Sequence, residues 1–466
     1  MKKNILSLAV ASGVAGLAVS AQAAMYLNPE GTGQVLLYPY YNAENGNETS
    51  MHIVNTTGSA KAVKVRFMEY VNSQEVLDFN LYLSKYDHFA FTIFANPNGD
   101  GAAIITRDNS CTVPALGDAS VPAPYSGSTT TNADGSITRI QPFLPYQYAA
   151  DAYNSDYRTN VGHVEVIEMG VLGNVAATLD ADGDVTVPAF PAATYATHDA
   201  AGVPANCAGL VDAWTSGSAT GGQWLSGTGS PAAGITQPTG GLYGLSNVLN
   251  NSDAAAYGVE AGAIADFWAS NTAGTAHTDP GNLLPSLASG DASSLVSNAG
   301  KSYTLGFAAG REIDAVSSLF MAEDIANDVM TNADLSGETD WIVTFPTRRY
   351  YVNGGSADAP FTDIYQGVTV KDASGNITLQ GAPNSSCEAV TVTPYNREES
   401  TSVTPPGQPI FSPSPAPGPA GTLPSLCYET NTIAVNGVSA VNATVSTDTV
   451  LAAAISLANA NGEGWQ

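Results

Sequence analysis

Basic residues are scarce in this chain of 466 residues. It contains 15 lysines and arginines against 42 aspartates and glutamates, which gives a net charge of −27. Residues 159–300 and 398–466 contain no lysine or arginine at all. Nucleic acids and anionic lipid surfaces are both bound through clustered basic side chains. The sequence therefore predicts a protein without a nucleic-acid partner and without affinity for an anionic lipid surface.

Long apolar segments are also missing. Two lysines precede an apolar run over residues 5–19, and a small-residue cleavage site follows at residues 21–23. The run is shorter than the roughly 20 residues of a membrane-spanning helix. These three regions predict a signal peptide over residues 1–23. We expect residues 24–466 to be secreted and extracellular or at the cell surface, with the periplasm as the alternative, and to lack a transmembrane segment.

The common catalytic motifs are absent as well. The chain contains no G-x-S-x-G elbow, no H-E-x-x-H, no phosphate-binding loop and no dinucleotide fingerprint. Its five histidines are dispersed. A catalytic group assembled from distant residues would leave no such motif, so enzymatic activity stays open. The sequence nevertheless favours a protein that is not an enzyme, and it predicts no catalytic residue and no organic cofactor.

Glu165 and Glu168 are candidates for a pair of carboxylates that hydrolyse a glycoside. Residues three apart on a strand lie on opposite faces, so only a bulge would bring them together. The pattern instead favours Glu165 and His163 on one face, with Val164 and Val166 in the core.

The chain has only four cysteines, and an even number in an exported protein indicates two disulfides. The cysteines are Cys111, Cys207, Cys387 and Cys427. Three pairings are open, and we favour Cys111–Cys207 with Cys387–Cys427 because each closes the shorter loop. No cysteine has a neighbour at the spacing of zinc ligands, which argues against a zinc site.

Period-two alternation of apolar and polar residues is abundant. Between residues 60 and 84, Val63, Val65 and Phe67 alternate with more polar neighbours, and the alternation resumes after a polar break. Segments of this kind, separated by Gly, Asn, Ser and Pro, recur over residues 33–200. We therefore predict a mainly β protein built from antiparallel β-sandwich domains of the Ig-like type.

Composition divides the mature chain into three parts. Residues 24–200 form the predicted N-terminal β-sandwich domain, and residues 201–300 a partly helical insertion rich in Gly, Ala and Ser. Residues 301–466 form a C-terminal α+β domain. Within it, the proline-rich residues 404–425 are predicted to be a long loop.

Three segments have helical patterns. One of them runs from about Asp448 to Asn461 and is followed by Gly462. Asp253 is placed to cap a helix that reaches about Ser270, with Ile264 and Phe267 on its apolar side. Residues 311–332 contain apolar residues at spacings of three and four, which predicts the longest helix of the chain.

Two loops carry side-chain oxygens at alternate positions, as calcium-binding loops do. They are Asn96, Asn98 and Asp100 in the first loop, and Asp180, Asp182 and Asp184 in the second. The first has Arg107 where a bidentate acid belongs, and the second has Val185 where a glycine belongs. Both lie between predicted strands, where Asn, Asp and Gly form turns, so plain turns are favoured over calcium sites.

Exposed aromatic side chains could stack on the rings of glycans. Tyr38 and Tyr40 are predicted to share one face of a strand while Tyr41 lies on the other. That arrangement favours ordinary packing over a glycan platform, and Trp268 and Trp341 are interpreted in the same way.

Four longer segments of the sequence resemble segments of other proteins. They are "VLLYPYYNAENGNETSMHIVNTTGSAKAVKVRFMEYVNSQEVLDFNLYLS", "GHVEVIEMG", "EIDAVSSLFMAEDIANDVM" and "TDWIVTFPTRRYYVN". Over residues 33–110, 157–170 and 311–353 the chain resembles a family of uncharacterised exported or cell-surface proteins of Gram-negative bacteria. The resemblance implies a location and no catalytic residues.

The expected function is that of a secreted cell-surface structural or interaction protein: an adhesin, a matrix component or a self-assembling subunit. Its expected partners are further copies of the chain, other surface proteins or glycans, because exposed sheet edges accept strands. The alternative is a secreted hydrolase or glycan-binding module.

Overall fold

The computed structural model describes residues 24–325, 340–393 and 425–456, with gaps inside these ranges. The gaps are residues 152, 216–221, 226–231, 253, 271, 299, 323, 354–355, 358–359, 362–363, 366–367, 372–376, 381–384, 387, 390, 435–443 and 446–453. The predicted signal peptide and all but the last residue of the predicted proline-rich loop lie outside the described residues.

Eighteen strands make up the first two-thirds of the chain. They are β1 Tyr26–Leu27, β2 Thr32–Gly33, β3 Val35–Asn42, β4 Asn47–Asn55, β5 Lys61–Glu69, β6 Glu75–Leu83, β7 His88–Ala95, β8 Ala102–Thr106, β9 Cys111–Val113, β10 Ser128–Thr131, β11 Ile137–Pro142, β12 Val161–Leu172, β13 Thr178–Leu179, β14 Val185–Val187, β15 Ile235–Thr236, β16 Leu242–Asn250, β17 Ala255–Glu260 and β18 Gly262–Ala265.

Most of these strands form two antiparallel sheets of eight strands each. Sheet I has the order β1-β18-β3-β12-β5-β6-β9, with β15 also paired to β12. Sheet II has the order β10-β11-β8-β7-β4-β16-β17, with β2 also paired to β16. The predicted hairpin of residues 60–84 is β5 and β6, which pair from Lys61–Leu83 to Met68–Glu75.

The main core lies between the two sheets. Val63, Val65 and Phe67 of β5 are fully buried there together with Phe89 and Phe91 of β7. Phe67 and Phe91 meet edge to face, with ring centroids 5.6 Å apart. Burying large aromatic and aliphatic side chains between two sheets is the main favourable contribution to folding. The predicted antiparallel β-sandwich is confirmed.

The outer face of sheet I is also covered. Leu37 and Ile167 on that face belong to a second apolar cluster with Ile313, Trp341 and Phe361. Residues after 266 therefore form a third layer on sheet I. The charged residues of that outer face are buried by this layer, which the alternation alone does not reveal.

The helix predicted from Asp253 to about Ser270 is wrong. Most of the segment forms β17 and β18, which pair with β16 in sheet II and with β3 in sheet I. Ala254 has a positive φ of 53° in the turn before β17. Helix propensities of ordinary residues differ by less than about 0.7 kcal/mol per residue, so two ladders of strand pairing override them.

Three short α-helices are present among the described residues: α1 Ala192–Ala196, α2 Cys207–Asp212 and α3 Glu312–Leu319. The helix predicted over 311–332 is confirmed only as α3, where Ile313 and Val316 enter the second cluster. The prediction is wrong for Asp324–Ile325, which pair as a strand with Ala454–Ser456. The helix predicted from about Asp448 to Asn461 is also wrong at Ala454–Ser456, the described part of that segment, which forms a strand. In both cases pairing with a distant strand outweighs the helical pattern.

The remaining strands are short and lie in small sheets and hairpins. They are β19 Ser293–Asn298, β20 Lys301–Gly306, β21 Asp324–Ile325, β22 Asp340–Thr344, β23 Val352–Asn353, β24 Ser356–Ala357, β25 Ile364–Tyr365, β26 Val368–Lys371, β27 Ile377–Gln380, β28 Ser385–Ser386, β29 Glu388–Ala389, β30 Thr391–Thr393, β31 Ser425–Leu426, β32 Thr430–Ala434, β33 Thr444–Val445 and β34 Ala454–Ser456. Of these, β22 pairs with β32 next to sheet I.

The predicted Cys111–Cys207 disulfide is confirmed and joins β9 to α2. Cys427 is also disulfide-bonded, whereas Cys387, its predicted partner, lies outside the described residues. Across the described ranges, none of the helices combines the length and apolar character needed to cross a membrane.

Candidate functional site

Arg66 is the centre of a buried ion network on the outer face of sheet I. Its Nε lies 2.6 Å from Glu75 Oε2, and its Nη1 lies 2.5 Å from Glu165 Oε2. Beside it, Lys64 Nζ lies 2.7 Å from Asp78 Oδ2. Strands β5, β6 and β12 supply these five residues because their cross-strand neighbours face the same side.

The third layer holds this network in place. The Thr278 carbonyl accepts a hydrogen bond from the Asn80 amide on the same face, and the Gly281 N–H donates to Asp78. On the other side, Arg349 Nη1 donates to the Ser73 carbonyl at 2.6 Å.

The two carboxylates on Arg66 have opposite pKa shifts. Burial disfavours the charged form of Glu165, but the Arg66 guanidinium lowers the pKa of that carboxyl to about 2. For Glu75, burial and the neighbouring Asp78 prevail over Arg66 and raise the pKa. Glu165 is therefore a fixed negative charge, and Glu75 is the more easily protonated member of the network.

Glu165 and Glu168 lie on opposite faces of β12, as predicted. Glu168 pairs instead with Lys61, whose Nζ lies 2.6 Å from Oε1, and both side chains are fully buried. The Thr239 and Gly240 backbone N–H groups also donate to Glu168. Each glutamate thus has its own basic partner, so the two do not form a catalytic carboxylate pair.

His163 lies opposite a β-bulge. Along β12 and β3, Gly162 pairs with Tyr41 and Val164 with Tyr38, so two residues of β3 oppose His163 alone. One of these two is Pro39, which has no N–H for a ladder bond. Bulges redirect side chains and are frequent beside functional sites.

The bulge corrects the prediction for the three tyrosines. Tyr38 and Tyr41 both enter the core between the sheets, whereas Tyr40 enters a separate cluster with Tyr70 and Tyr428. Predicting that Tyr38 and Tyr40 share a face was wrong because the extra residue shifts the alternation by one. All three are buried, as ordinary packing requires.

A cavity of about 380 Å³ lies at the bulge, between sheet I and β22. We call it the His163 cavity; its walls include Leu37, Pro39, His163, Phe320, Trp341 and Val343. His163 is 1 % exposed, and neither of its ring nitrogens has a hydrogen-bond partner among the described residues. Its Nε2 lies 3.9 Å from Glu165 Oε1, which is within ion-pair distance but beyond hydrogen-bond distance. The Trp341 indole N–H is buried and likewise has no hydrogen-bond partner in the part of the chain that the structure describes.

The sequence predicted that Trp341 packs in the core and that His163 lies on the same face as Glu165. The structure agrees with both, but the sequence did not predict the cavity that both residues line. The available signal was Pro39 inside an otherwise regular strand, since a proline there marks an edge or a bulge. Trp268, also assigned to packing, is buried and donates its indole N–H to the Glu168 carbonyl at 2.7 Å.

A second cavity, of about 330 Å³, lies at the β6 side of the ion network. We call it the Tyr146 cavity; Glu75, Asp78, Asp118, Tyr146 and Gln147 line its polar part. Tyr146 is 57 % exposed. Carboxylates, amides and an exposed aromatic ring are the groups with which proteins hold sugars, through hydrogen bonds and stacking.

Both loops proposed for calcium are turns in the structure. Asn96 Oδ1 accepts from the Asn98 N–H in the loop between β7 and β8. Asp180 Oδ1 accepts from the N–H groups of Asp182 and Asp184 in the loop between β13 and β14. Such bonds are those of turn-forming Asn and Asp side chains. Calcium binding by Asn96, Asn98, Asp100, Asp180, Asp182 and Asp184 stays a prediction.

Strand β17 is an exposed edge of sheet II. It pairs with β16 on one side, and among the described strands none pairs with its other side. Ala255, Ala256, Gly258 and Glu260 are exposed, so most of its side chains are small and leave the backbone accessible. Edge strands of this length usually carry a lysine, a proline or a bulge that prevents further pairing. This one carries none of the three.

No protein-family model, curated protein or solved structure matches this chain.

Proposed function

We propose that this chain is a secreted cell-surface interaction protein that assembles with copies of itself by pairing β17 edge to edge. The observation that carries the proposal is the exposed, unprotected edge of β17. Main-chain hydrogen bonds along such an edge supply affinity with little dependence on side chains. A self-assembling subunit needs an edge of this kind.

The charge pattern of β17 suits pairing with a second copy. In a two-fold antiparallel arrangement over all six residues, Ala256 would face Val259 and Ala255 would face Glu260. The two Glu260 carboxylates would then lie about 17 Å apart, at 3.4 Å per residue. That distance is about twice the Debye length at physiological salt, so like charges would not meet across the edge.

The net charge of −27 opposes association at long range. Salt screens this repulsion while leaving main-chain hydrogen bonds intact. Association through β17 should therefore strengthen as ionic strength rises, which is the opposite of association driven by attraction between charges.

The test is sedimentation velocity of residues 24–466 over a salt series, with electron microscopy of the associated fraction. Ala256→Glu adds a second negative charge to each copy of β17, so association should be weaker than in the wild type at low salt and should recover as salt screens the added repulsion. Ala201→Glu adds the same charge in the exposed loop between α1 and α2 and should associate like the wild type. A wild type that stays monomeric throughout, or an Ala256→Glu variant that associates like the wild type at low salt, would refute the proposal.

Export is part of the same proposal. A disulfide between Cys111 and Cys207 is compatible with an oxidising compartment. Cell fractionation after expression with residues 1–23 intact should recover the shortened chain outside the cytoplasm. Recovery of full-length chain in the cytoplasm would contradict this.

Glycan binding is a second candidate function, and the Tyr146 cavity favours it. Glu75 is paired with Arg66 and Asp78 with Lys64, and carboxylate oxygens held in this way can accept hydrogen bonds from sugar hydroxyls. A glycan array with the wild type and Tyr146→Ala tests it. Binding that Tyr146→Ala abolishes supports a glycan site, and absence of binding to any glycan removes it.

A further inference from the structure

The His163 cavity has the composition of a small-molecule site. Most of its walls are apolar, and its volume of about 380 Å³ falls within the range of ligand pockets, about 300–1,000 Å³. Pockets of this class combine an apolar lining with a few polar groups that fix the orientation of the ligand.

Two polar groups in these walls have no hydrogen-bond partner among the described residues. They are the His163 imidazole and the Trp341 indole N–H, and both side chains are at least nine-tenths buried. Buried polar groups in folded proteins nearly always have a partner. The indole can only donate, whereas neutral imidazole donates from one nitrogen and accepts at the other. A ligand oxygen could accept from Trp341 Nε1 and exchange a hydrogen bond with His163.

The charges around the cavity select for a neutral ligand. Glu260 lies in its wall, and Glu165 Oε1 lies 3.9 Å from His163 Nε2, so a carboxylate or phosphate would meet like charge. An organic cation would lose its hydration against walls made chiefly of Leu37, Pro39, Phe320 and Val343. Loss of hydration disfavours an anion in the same way. Glu165 is paired with Arg66 and Glu260 is exposed to solvent, so neither carboxylate offsets that loss for a cation.

The β-bulge explains why the His163 imidazole faces a cavity. Because two residues of β3 oppose His163, the regular side-chain alternation is interrupted beside it. The cavity is lined by residues on both sides of this irregularity, Tyr38 and Pro39 on β3 and His163 on β12. A bulge that opens space next to a buried histidine without a hydrogen bond to the described residues is a feature that packing alone does not require.

We propose that the His163 cavity binds a small uncharged molecule with an aromatic or branched hydrocarbon body and one hydroxyl or carbonyl oxygen. His163 and Trp341 recognise the oxygen, and the apolar walls hold the body. This site is independent of β17 pairing, so it can hold whether or not the chain self-associates.

Four probes of similar size test the class of ligand: benzyl alcohol, toluene, benzoate and benzylamine. Ligand-observed NMR and calorimetry on residues 24–466 measure saturable binding. We expect benzyl alcohol to bind about 2- to 10-fold more tightly than toluene, which is the range that one net hydrogen bond supplies. Benzoate and benzylamine should bind more weakly than benzyl alcohol.

Two variants locate the site. Trp341→Phe removes the indole N–H and keeps an aromatic wall, so it should weaken benzyl alcohol to about the affinity of toluene and leave toluene nearly unchanged. Val343→Phe reduces the volume and should weaken both probes. Thermal melting confirms that each variant is folded, and His163→Phe provides a second removal of a polar partner if Trp341→Phe is unstable.

Three results would overturn the proposal. The first is no saturable binding of any probe up to about 10 mM, a concentration at which even very weak ligands register. The second is equal binding of benzyl alcohol in the wild type and in folded Trp341→Phe and His163→Phe. The third is tighter binding of benzoate or benzylamine than of benzyl alcohol.

Discussion

Arg66 Nη1 lies 2.5 Å from Glu165 Oε2, and both side chains are completely buried on the outer face of a sheet. An ion pair in such a place is expensive to desolvate, and it is tolerated because Arg66 also bonds Glu75. The pair ties β5 to β12, and the neighbouring Asp78 accepts from Gly281 of the covering layer. The outer face of sheet I is therefore an interior surface that is held together by charge.

Removing the Arg66 guanidinium should lower the stability of the folded protein. Arg66→Met keeps the aliphatic stem and leaves Glu165 and Glu75 without their basic partner. We expect the free energy of unfolding to fall by about 3–5 kcal/mol, as measured by urea denaturation.

Arg311→Met is the matched control. Arg311 Nε lies 2.7 Å from Asp314 Oδ2 at the surface, with the arginine side chain 46 % exposed. Because solvent screens exposed pairs, we expect a loss below about 1 kcal/mol. Equal losses in the two variants would show that the Arg66 network is no more important than a surface pair.

The sequence predicted the inner face of the sandwich well. Val63, Val65 and Phe67 alternate with polar residues, and a period of two with one apolar side specifies a half-buried strand. The same alternation wrongly predicts that the outer face of sheet I is exposed to solvent. Lys64 and Arg66 have the pattern of solvated residues, and only the packing of residues beyond 266 buries them.

The cavities and the bulge depend on register between distant strands. Whether His163 faces one residue of β3 or two is decided by pairing across more than 100 residues. Pro39 signals an edge or a bulge, but it does not specify which residues of the partner strand it will face, so Tyr40 was assigned to the wrong face. The helix predicted from Asp253 failed for a related reason, since β16 and β3 offered the segment strand partners that local propensity cannot anticipate.

The Cys111–Cys207 disulfide should contribute substantially to stability. It closes a loop with a sequence separation of 96 residues. The chain-entropy account gives about 4–5 kcal/mol for a loop of this length. Replacing both cysteines by serine should lower the free energy of unfolding by up to this amount. The melting temperature should fall as well.

The double replacement is preferable to a reducing agent, because Cys427 is also disulfide-bonded and would be reduced together with it. Replacing both cysteines by alanine controls for the effect of the serine hydroxyls themselves. Melting of the double variant at the wild-type temperature would mean that the loop is already constrained by packing.

Gly244 is required by the close approach of Tyr38. A Cβ at this position of β16 would overlap the Tyr38 hydroxyl, which donates to the His52 carbonyl at 2.5 Å. Gly244→Ala should therefore push the two sheets apart locally and cost about 1–3 kcal/mol in urea denaturation.

Gly306→Ala provides the comparison. A Cβ at Gly306, the last residue of exposed β20, would meet nothing within 4 Å. We expect a change within about 0.5 kcal/mol. A Gly244→Ala variant as stable as Gly306→Ala would show that Tyr38 can move without loss.

Glu429 should make the protein less stable as the pH rises from acid to neutral. Burial raises the pKa of this carboxyl from 4.5 to about 7 despite the neighbouring Arg348, whose Nε lies 3.5 Å away. Between these two values the unfolded chain loses the Glu429 proton while the folded chain keeps it. A group with a raised carboxyl pKa therefore favours unfolding increasingly from about pH 4.5 to about pH 7.

Glu429→Gln removes this titration, so its free energy of unfolding should change less than that of the wild type between pH 4.5 and 7. Urea denaturation at several pH values measures the difference in free energy of unfolding between the two proteins. Asp87 raises the pKa of His198, but His198 contributes equally to both proteins and cancels in this difference. Glu165 has the opposite effect, because its lowered pKa gives stability that is present above pH 4.5 and lost as the pH falls towards 2. Parallel curves for wild type and Glu429→Gln between pH 4.5 and 7 would mean that Glu429 is ionised in the folded protein and is held by Arg348.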